Sequence, residues 1–370
     1  MIMPKVKMTP YDALPASAFW STGVARESPY LIKDVYKKKF LLSPEANIAT
    51  AGSCFAQHIS RHLRTNNYKV MDVEPPPPGL PETLHQQFGY SMYSARYGNI
   101  YTVRQLLQLA QEVLGEWEPK NFIWKKNDKY VDALRPAVEP EGLDTPDEVV
   151  EHRQYHIDRV RELFQSLDVF IFTLGLTEMW VHRPSGTVYP TAPGTIAGEY
   201  DDTEYQFENA SSRSVHDDFG SFLVAMEKIR SKPFKMILTV SPVPLTATAS
   251  GHHVLLSTTY SKSVLRAAAG EWSTLPFIDY FPSYEIVTNP RLHSTAFTDS
   301  LRSVRDEAVS TVMRHFFAEH PALSPPDEVP LTPMEDGRGK RKRRKQKSRK
   351  LKQSAEDVQC EEALLEAFQK

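Results

Sequence analysis

The sequence predicts an α/β fold in which helices cover both faces of a parallel β-sheet. Two runs, DVFIFTL at 168–174 and FKMILTV at 234–240, are apolar along most of their length, as strands buried on both faces are. Segments with apolar residues at helical spacing alternate with such runs along the chain. Alternating strands and helices are typical of a parallel sheet with helical crossovers.

The first strand, turn and helix occupy residues 46–63, and apolar positions recur along the helix at Phe55, Ile59 and Leu63. The turn is Gly52-Ser53-Cys54. Gly52 relieves crowding where a strand breaks into a helix, and the first helical turn leaves backbone N–H groups unpaired. The Ser53 hydroxyl and the Cys54 thiol are both candidate nucleophiles, and the helix N-terminus would lower the pKa of the thiol. The alternative is a Gly-Ser helix cap followed by a small buried cysteine.

Further elements follow in order. The predicted strands are 68–73, 168–174, 234–240 and 276–280, and the predicted helices are 103–114, 146–166, 215–231, 260–272 and 304–318. Thr102 and Thr145 are the expected N-caps of two of these helices. The four prolines at 75–78 exclude helix and central strand, and residues 115–146 look irregular. Ligands collect at the carboxyl ends of parallel strands, so the turns after the strands are the places to search.

The chain divides into an N-terminal lead-in (1–45), a folded domain (46–322) and a tail (323–370) whose composition predicts disorder. Within the tail, residues 338–352 hold eleven Lys and Arg and no acidic residue. We call this segment the basic run. It would bind a polyanion non-specifically. The alternative is a tail that solubilises the protein or docks on the acidic remainder of the chain.

Composition excludes several classes of protein. No run approaches 18 apolar residues and the N-terminus lacks the apolar centre of a signal peptide, so we expect a cytoplasmic protein without a membrane span. Cys54 and Cys360 are the two cysteines, which makes a disulfide framework and a zinc site improbable. No glycine-rich nucleotide loop is present. We therefore expect neither a metal nor a cofactor.

Six short motifs stand in a fixed order: GSCFA at 52–56, YGNIYT at 97–102, LRP at 134–136, TLGLTE at 173–178, SPV at 241–243 and DYFPSYE at 279–285. In these motifs the chain resembles the GSCFA family, which is grouped with the SGNH (GDSL-like) hydrolases. The resemblance covers roughly residues 30–320. It implies a three-layer α/β/α sandwich of the flavodoxin-like type, with an ester-hydrolase or acyl-transfer site at the strand ends.

The resemblance also implies roles for particular residues. SGNH enzymes carry the nucleophilic serine in a Gly-Asp-Ser turn, and an ungapped comparison puts Cys54 at the nucleophile and Ser53 at the aspartate. Alternatively, Ser53 attacks from a shifted turn. Gly98 looks like the glycine whose N–H enters the oxyanion hole, and Thr177 stands where the family has an asparagine donor. Glu178 either orients a base or is a charge held at a strand end.

The last SGNH motif is Asp-x-x-His, whose histidine takes the proton of the nucleophile. The matching place in this chain is Asp299-Ser300-Leu301-Arg302, so the aspartate is present and the histidine is an arginine. An arginine stays protonated and cannot act as a base. Arg302 would instead pair with Asp299, bind an anionic group of the substrate, or lower the pKa of the Cys54 thiol.

Histidines at three other places are candidate bases. His58 lies one turn after Cys54, His252 and His253 follow the SPV turn, and His293 precedes Asp299 by six residues. The expected function is hydrolysis or transfer of an O-acyl ester, on a saccharide by analogy with SGNH relatives. The alternative is a non-catalytic binding or scaffolding protein that keeps the pocket and reaches an anionic partner through the basic run.

Overall fold

The computed structural model describes residues 9–28, 30–321 and 365. The strands are β1 (Ile48–Gly52), β2 (Ile123–Lys126), β3 (Lys129–Asp132), β4 (Val169–Leu174), β5 (Glu178–His182), β6 (Val188–Tyr189), β7 (Tyr205–Asn209), β8 (Lys235–Val240) and β9 (Ile278–Tyr280). The α-helices are α1 (Phe55–Thr65), α2 (Glu82–His85), α3 (Val103–Leu114), α4 (Pro146–Ser166), α5 (Ser212–Ile229), α6 (Val254–Trp272), α7 (Ser283–Thr288), α8 (His293–Ala296) and α9 (Asp306–Glu319).

A parallel sheet of four strands, in the order β1-β4-β8-β9, forms the centre of the fold. One isolated parallel bridge, between Ile48 and Val70, extends the pairing beyond β1. The predicted strand at 68–73 is therefore reduced to this bridge. The pairing goes no further because the amide of Val73 donates to the carbonyl oxygen of Ser94 at 3.0 Å and not to β1.

Helices cover both faces of this sheet. Residues on β1, β4 and β8 alternate between the two faces, as the two-residue period of a strand requires. Ile48, Ile171 and Ile237 share one core with α1, α7 and α9, whereas Phe172 and Leu238 share the other with α3, α4, α5 and α6. This arrangement confirms the three-layer α/β/α sandwich.

Side chains at the helix starts explain where the helices begin. Thr102 and Thr145 form capping boxes with a Gln or a Glu three residues later, as predicted from the sequence. Helix α6 begins at Val254, six residues before the predicted start at Tyr260, because the imidazole of His253 caps it by accepting from the second amide of the helix.

Two antiparallel sheets lie between α3 and α5, where the sequence analysis predicted none. β2 and β3 form a hairpin, and β5 pairs with β6 and β7 in the order β6-β5-β7. Trp124 of the hairpin contacts Tyr189 and Tyr205 of the second sheet, with ring centroids 4.9 and 6.4 Å apart. Residues 115–146 are therefore not irregular throughout, and β5 starts directly after the Gly175–Thr177 turn.

The N-terminal lead-in contributes to the core of the domain. Ile32, Tyr36 and Leu42 are buried, and the Tyr36 ring lies edge-on to Phe281 at 5.1 Å. No helix among the described residues is both long and apolar enough to cross a membrane. The basic run and Cys360 lie outside the described residues.

Candidate active site

The turn after β1 is tightly constrained by the neighbouring strand. Gly52 has a φ of +128°, and a Cβ at this position would lie 2.3 Å from the carbonyl oxygen of Thr173. A close backbone approach and a positive φ together require glycine here. The Ser53 amide then donates to that same Thr173 oxygen at 3.1 Å. Cys54, with helical backbone angles, is the residue before the first residue of α1.

Backbone hydrogen bonds join three of the sequence motifs. The Ile100 amide donates to the carbonyl oxygen of Gly52 at 3.0 Å. The carbonyl oxygen of Tyr101 accepts from the amides of Gly175 at 3.2 Å and Leu176 at 2.9 Å. The YGNIYT segment therefore lies between the turns after β1 and β4, at the carboxyl edge of the parallel sheet.

Gly98 belongs to this segment, is buried and has a φ of +67°. Two side-chain hydrogen bonds link its neighbour Asn99 to α1. The Tyr93 hydroxyl donates to Asn99 Oδ1, and Gln57 Nε2, from α1, donates to the Tyr93 hydroxyl oxygen at 3.1 Å. The first turn of α1 and the backbone around Gly98 are thereby held in a fixed relation. Such rigidity is what an oxyanion site requires.

The side chain of Ser53 lies directly against Gly175. A Cβ at position 175 would be only 2.9 Å from Ser53 Cβ and 3.0 Å from the Tyr101 carbonyl oxygen. Ser53 is 3% exposed, and its Oγ has no hydrogen-bond partner among the described residues. A buried hydroxyl without a partner costs about 1–3 kcal/mol, so this is an unfavourable position for a purely structural serine. Cys54 is buried as well.

Thr177 does not have the geometry expected of an oxyanion donor. Its hydroxyl donates to Asn209 Oδ1 at 2.7 Å, and its amide donates to Ser261 Oγ at 2.9 Å. The side chain is completely buried. Because a hydroxyl has one proton, the proton of Thr177 is used in the contact with β7.

Glu178 lies at the edge of the site and is half-buried. Burial raises the pKa of its carboxyl group, while hydrogen bonds from Thr248 and Ser257 oppose the shift. The Thr248 hydroxyl donates to Glu178 Oε1 at 2.7 Å. Glu178 is thus held in a hydroxyl-rich cluster between β5 and the start of α6.

Lys262 is a site residue that the sequence analysis missed. It is 2% exposed, and its Nζ donates to the carbonyl oxygen of Gly175 at 2.7 Å. Its position on α6 could have indicated its burial from the sequence alone. Lys262 lies three residues before Leu265 and seven before Ala269, on the buried face of the helix. A lysine within an apolar stripe is unusual, because lysine is rarely buried completely.

Asp299 and Arg302 differ in their exposure to solvent. The Asp299 side chain is fully exposed and pairs with Arg305 at 3.3 Å. Arg302 is partly buried, and its Nη2 donates to the carbonyl oxygen of Pro244, in the turn after β8, at 3.4 Å. Arg302 thus reaches the carboxyl edge of the sheet while Asp299 faces solvent.

Three of the candidate histidines are exposed: His252, His253 and His293. His253 Nδ1 accepts the Leu255 amide at 3.1 Å as the cap of α6. The His293 ring lies 5.4 Å from that of Phe297. None of these contacts brings a ring to the turn after β1.

His58 is buried in α1, with its ring 5.5 Å from that of Phe55. Burial, together with the charges of Arg61 and His62, lowers the pKa of His58 to about 3. Efficient general bases have a pKa near the operating pH. His58 is therefore neutral at pH 7 but only weakly basic.

Arg135, from the LRP motif, lies in a buried ionic cluster that consists of Glu74, Asp132, Arg135, Arg153 and His156. Arg135 Nε contacts Asp132 at 2.8 Å, Arg153 Nη1 contacts the same carboxylate at 2.9 Å, and Glu74 lies 3.8 Å from Arg135 Nη1. These pairs link the loop after β3 to α4 and to the segment before the YGNIYT motif. The arginine of this motif is thus part of the scaffold behind the site.

Comparison with known proteins identifies one family. The model of the GSCFA family matches residues 47–316, which include all the turns described above. No curated protein matches the chain, and no solved structure matches it.

Proposed function

Because the chain belongs to the GSCFA family, we propose that it is an SGNH-like hydrolase or acyltransferase whose nucleophile lies in the Gly52-Ser53-Cys54 turn. The observation that carries the proposal is the buried Ser53 hydroxyl without a partner, at the carboxyl edge of a parallel sheet. Activated serines of acyl-transfer enzymes occupy strand-to-helix turns of this kind.

In this mechanism Ser53 Oγ attacks the acyl carbon of an ester. The alcohol leaves, and the acyl-serine is then cleaved by water or by the hydroxyl group of an acceptor. The amide of Gly98 and the amides at the start of α1 donate to the oxyanion, since a helix N-terminus leaves such groups unpaired. Thr177 has no part in this step, because its proton is donated to Asn209.

Cys54 is the competing nucleophile within the same turn. Its position at the start of α1 favours a thiolate. We prefer Ser53 because its side chain lies against Gly175 and its hydroxyl has no hydrogen-bond partner among the described residues. The two assignments predict opposite results for single substitutions.

The test measures hydrolysis of p-nitrophenyl acetate by the purified protein. We expect Ser53→Ala to lower kcat by at least about 100-fold, the scale of one essential group, and Cys54→Ala to retain most activity. Ser60→Ala is the matched control, since Ser60 is another buried serine of this region whose Oγ has no hydrogen-bond partner in the described part of the chain. Loss of activity in Cys54→Ala alone assigns the thiol instead. Full activity in both turn variants contradicts the proposal.

A second candidate function is ligand binding without catalysis. It is favoured by Arg302 in place of the histidine and by the exposure of Asp299. An inactive wild-type protein that nevertheless binds an acylated ligand, measured by calorimetry, would support this alternative.

The substrate class that we propose is an O-acylated saccharide in the cytoplasm, by analogy with the chemistry of SGNH relatives. A panel of acetylated monosaccharides, assayed for acetate release, tests it. Turnover of simple aryl acetates without any saccharide ester would contradict the saccharide assignment alone.

The proposed partner of the basic run is a polyanion, because eleven cations in fifteen residues create a strong positive potential. Deleting residues 338–352 is expected to lower the salt concentration that elutes the protein from heparin. An unchanged elution position would favour a solubilising tail.

A further inference from the structure

A partly exposed aromatic face lies on the antiparallel sheet of β5, β6 and β7. Met179 and Val181 of β5 are part of a core, so Trp180 between them lies on the opposite face of the sheet. Phe207 of β7 is its register partner, with ring centroids 5.9 Å apart. The Tyr200 ring stands at 82° to that of Trp180, 5.4 Å away, and Tyr200 is 52% exposed. We call Trp180, Tyr200 and Phe207 the aromatic corner. None of them belongs to a hydrophobic core of the described residues.

The aromatic corner lies in an acidic part of the chain. Tyr200 stands between Glu199 and Asp201, both of which are exposed. Residues 199–208 hold five acidic residues and no lysine or arginine. Arg183 donates to a backbone oxygen of this segment at 3.0 Å and offsets one of these charges. The surface around the three rings is therefore negatively charged.

Such a face is complementary to cationic side chains. The π-system of an aromatic ring attracts an ammonium or guanidinium group that lies over it, and nearby carboxylates strengthen the attraction. An apolar partner would bury the same carboxylates without counter-charges, which is costly. The partner that fits is therefore a segment rich in lysine and arginine.

The chain itself supplies such a segment, the basic run, with eleven Lys and Arg in fifteen residues. Sixteen residues, 322–337, separate it from Pro321, and a stretch of this length spans at most about 55 Å. A compact domain of this size has a radius of gyration of about 20 Å, so the basic run can reach the aromatic corner. Because both belong to one chain, the contact is intramolecular and weak interactions are enough to maintain it.

We propose that the basic run docks on the aromatic corner of its own chain, where its lysine and arginine side chains contact the three rings and the acidic residues of 199–208. The inference is independent of the proposed function, since it involves neither the nucleophile nor a substrate. A polyanion and the aromatic corner compete for the same cations. Binding of a polyanion therefore releases the basic run from the domain.

Carbodiimide cross-linking of the full chain, read by mass spectrometry, tests where the basic run lies. The reagent joins an amine to a carboxylate in contact with it. At low salt we expect lysines of the basic run to be linked to acidic residues of 199–208, and high salt should abolish these links by screening. Residues 141–151 are the internal control, because they also hold five acidic residues and no basic one. Equal linking of both segments, or links only between two copies of the chain, overturns the inference.

The rate at which trypsin cleaves the basic run in the full chain is a second measurement, because proteolysis follows the population of the accessible form. We expect Tyr200→Ser to raise this rate at low salt by about two- to fivefold, the scale of one exposed cation–π contact. The double variant Glu199→Gln/Asp202→Asn, which removes two exposed charges, should raise it as well. At high salt the wild type should be cleaved as fast as these variants.

Matched variants elsewhere on the surface control for composition and charge. Tyr155→Ser replaces another exposed tyrosine, on α4, and Glu141→Gln/Glu151→Gln removes two other exposed charges. Both should be cleaved at the wild-type rate. The inference is overturned if the variants of the aromatic corner are cleaved no faster than these controls, since the basic run would then not occupy this face.

Discussion

The carboxylate of Glu74 lies 2.7 Å from Nδ1 of His156, and each side chain is 2% exposed. Burial alone would raise the pKa of Glu74, but the contact with His156, the charge of Arg135 and the amide of Arg96 together hold it at about 2. Burial is also the largest influence on His156, and it lowers the pKa of the imidazole. The Glu74 carboxylate therefore accepts a hydrogen bond from the His156 imidazole.

This pair predicts a particular acid sensitivity. A carboxyl group whose pKa is lowered by folding stabilises the protein above its unfolded pKa, and the contribution is lost as pH falls through the folded value. As pH falls from the ordinary carboxyl pKa of 4.5 to about 2, the unfolding free energy should fall by roughly 3 kcal/mol more in the wild type than in Glu74→Gln. Urea denaturation at several pH values measures this difference.

Glu118→Gln serves as the control for that experiment, because Glu118 is 78% exposed in its pair with Lys120. It should follow the wild-type curve. Parallel curves for Glu74→Gln and the wild type would show that folding does not lower the pKa of Glu74.

Gly175→Ala should damage both stability and activity. The added Cβ would lie 2.9 Å from Ser53 Cβ and 3.0 Å from a backbone oxygen of Tyr101. We expect a loss of about 1–3 kcal/mol in unfolding free energy, as for other overpacked sites, together with reduced esterase activity. Thermal denaturation and the p-nitrophenyl acetate assay check this.

The control for that variant is Gly220→Ala in α5, where a Cβ meets nothing within 4 Å. Replacing a glycine within a helix by alanine raises the unfolding free energy by about 0.5–1 kcal/mol. Equal effects of the two alanines would contradict the close contact at Gly175.

Asp132→Ala should be strongly destabilising. This carboxylate bridges Arg135 and Arg153, and their charges lower its pKa although burial opposes the shift. Removing it leaves two buried arginines with fewer counter-charges, at a cost of about 3–5 kcal/mol. Asp144→Ala, which removes an exposed pair with Lys129, should cost far less, because solvent screens an exposed ion pair. Similar costs for the two variants would contradict the role of burial.

Asp299→Asn should leave esterase activity nearly unchanged. In enzymes with a catalytic Asp-His pair, replacing the aspartate by asparagine lowers kcat by about 10⁴-fold. Asp299 is fully exposed and pairs with Arg305, so we expect a change of less than about twofold, as for other surface ion pairs. A large loss would mean that the loop moves during the reaction and carries Asp299 inward.

The sequence predicts the central sheet well because its strands are apolar on both faces and alternate with capped helices. It does not predict β5, since this strand starts in a turn motif and buries only Met179 and Val181 on one face. The extra turns of α6 were missed because His253 is an uncommon cap.

The candidate site was only partly predictable. The order of the motifs indicates that the turns meet at one edge of the sheet. The orientation of each side chain depends on tertiary contacts that a motif does not contain: Thr177 bonds to Asn209, a partner 32 residues away. The position of Lys262 in the site could not be predicted either, because its contact with Gly175 depends on how α6 packs over that turn.

The last described residue before the tail, Pro321, lies at the amino edge of the parallel sheet. Its carbonyl oxygen accepts from the Tyr68 hydroxyl at 2.8 Å, two residues before the bridge to the first residue of β1. The turn that holds Ser53 is at the other edge. A protein immobilised through its C-terminal tail, on a resin or an anionic surface, would therefore present the edge that holds Ser53 to the solution.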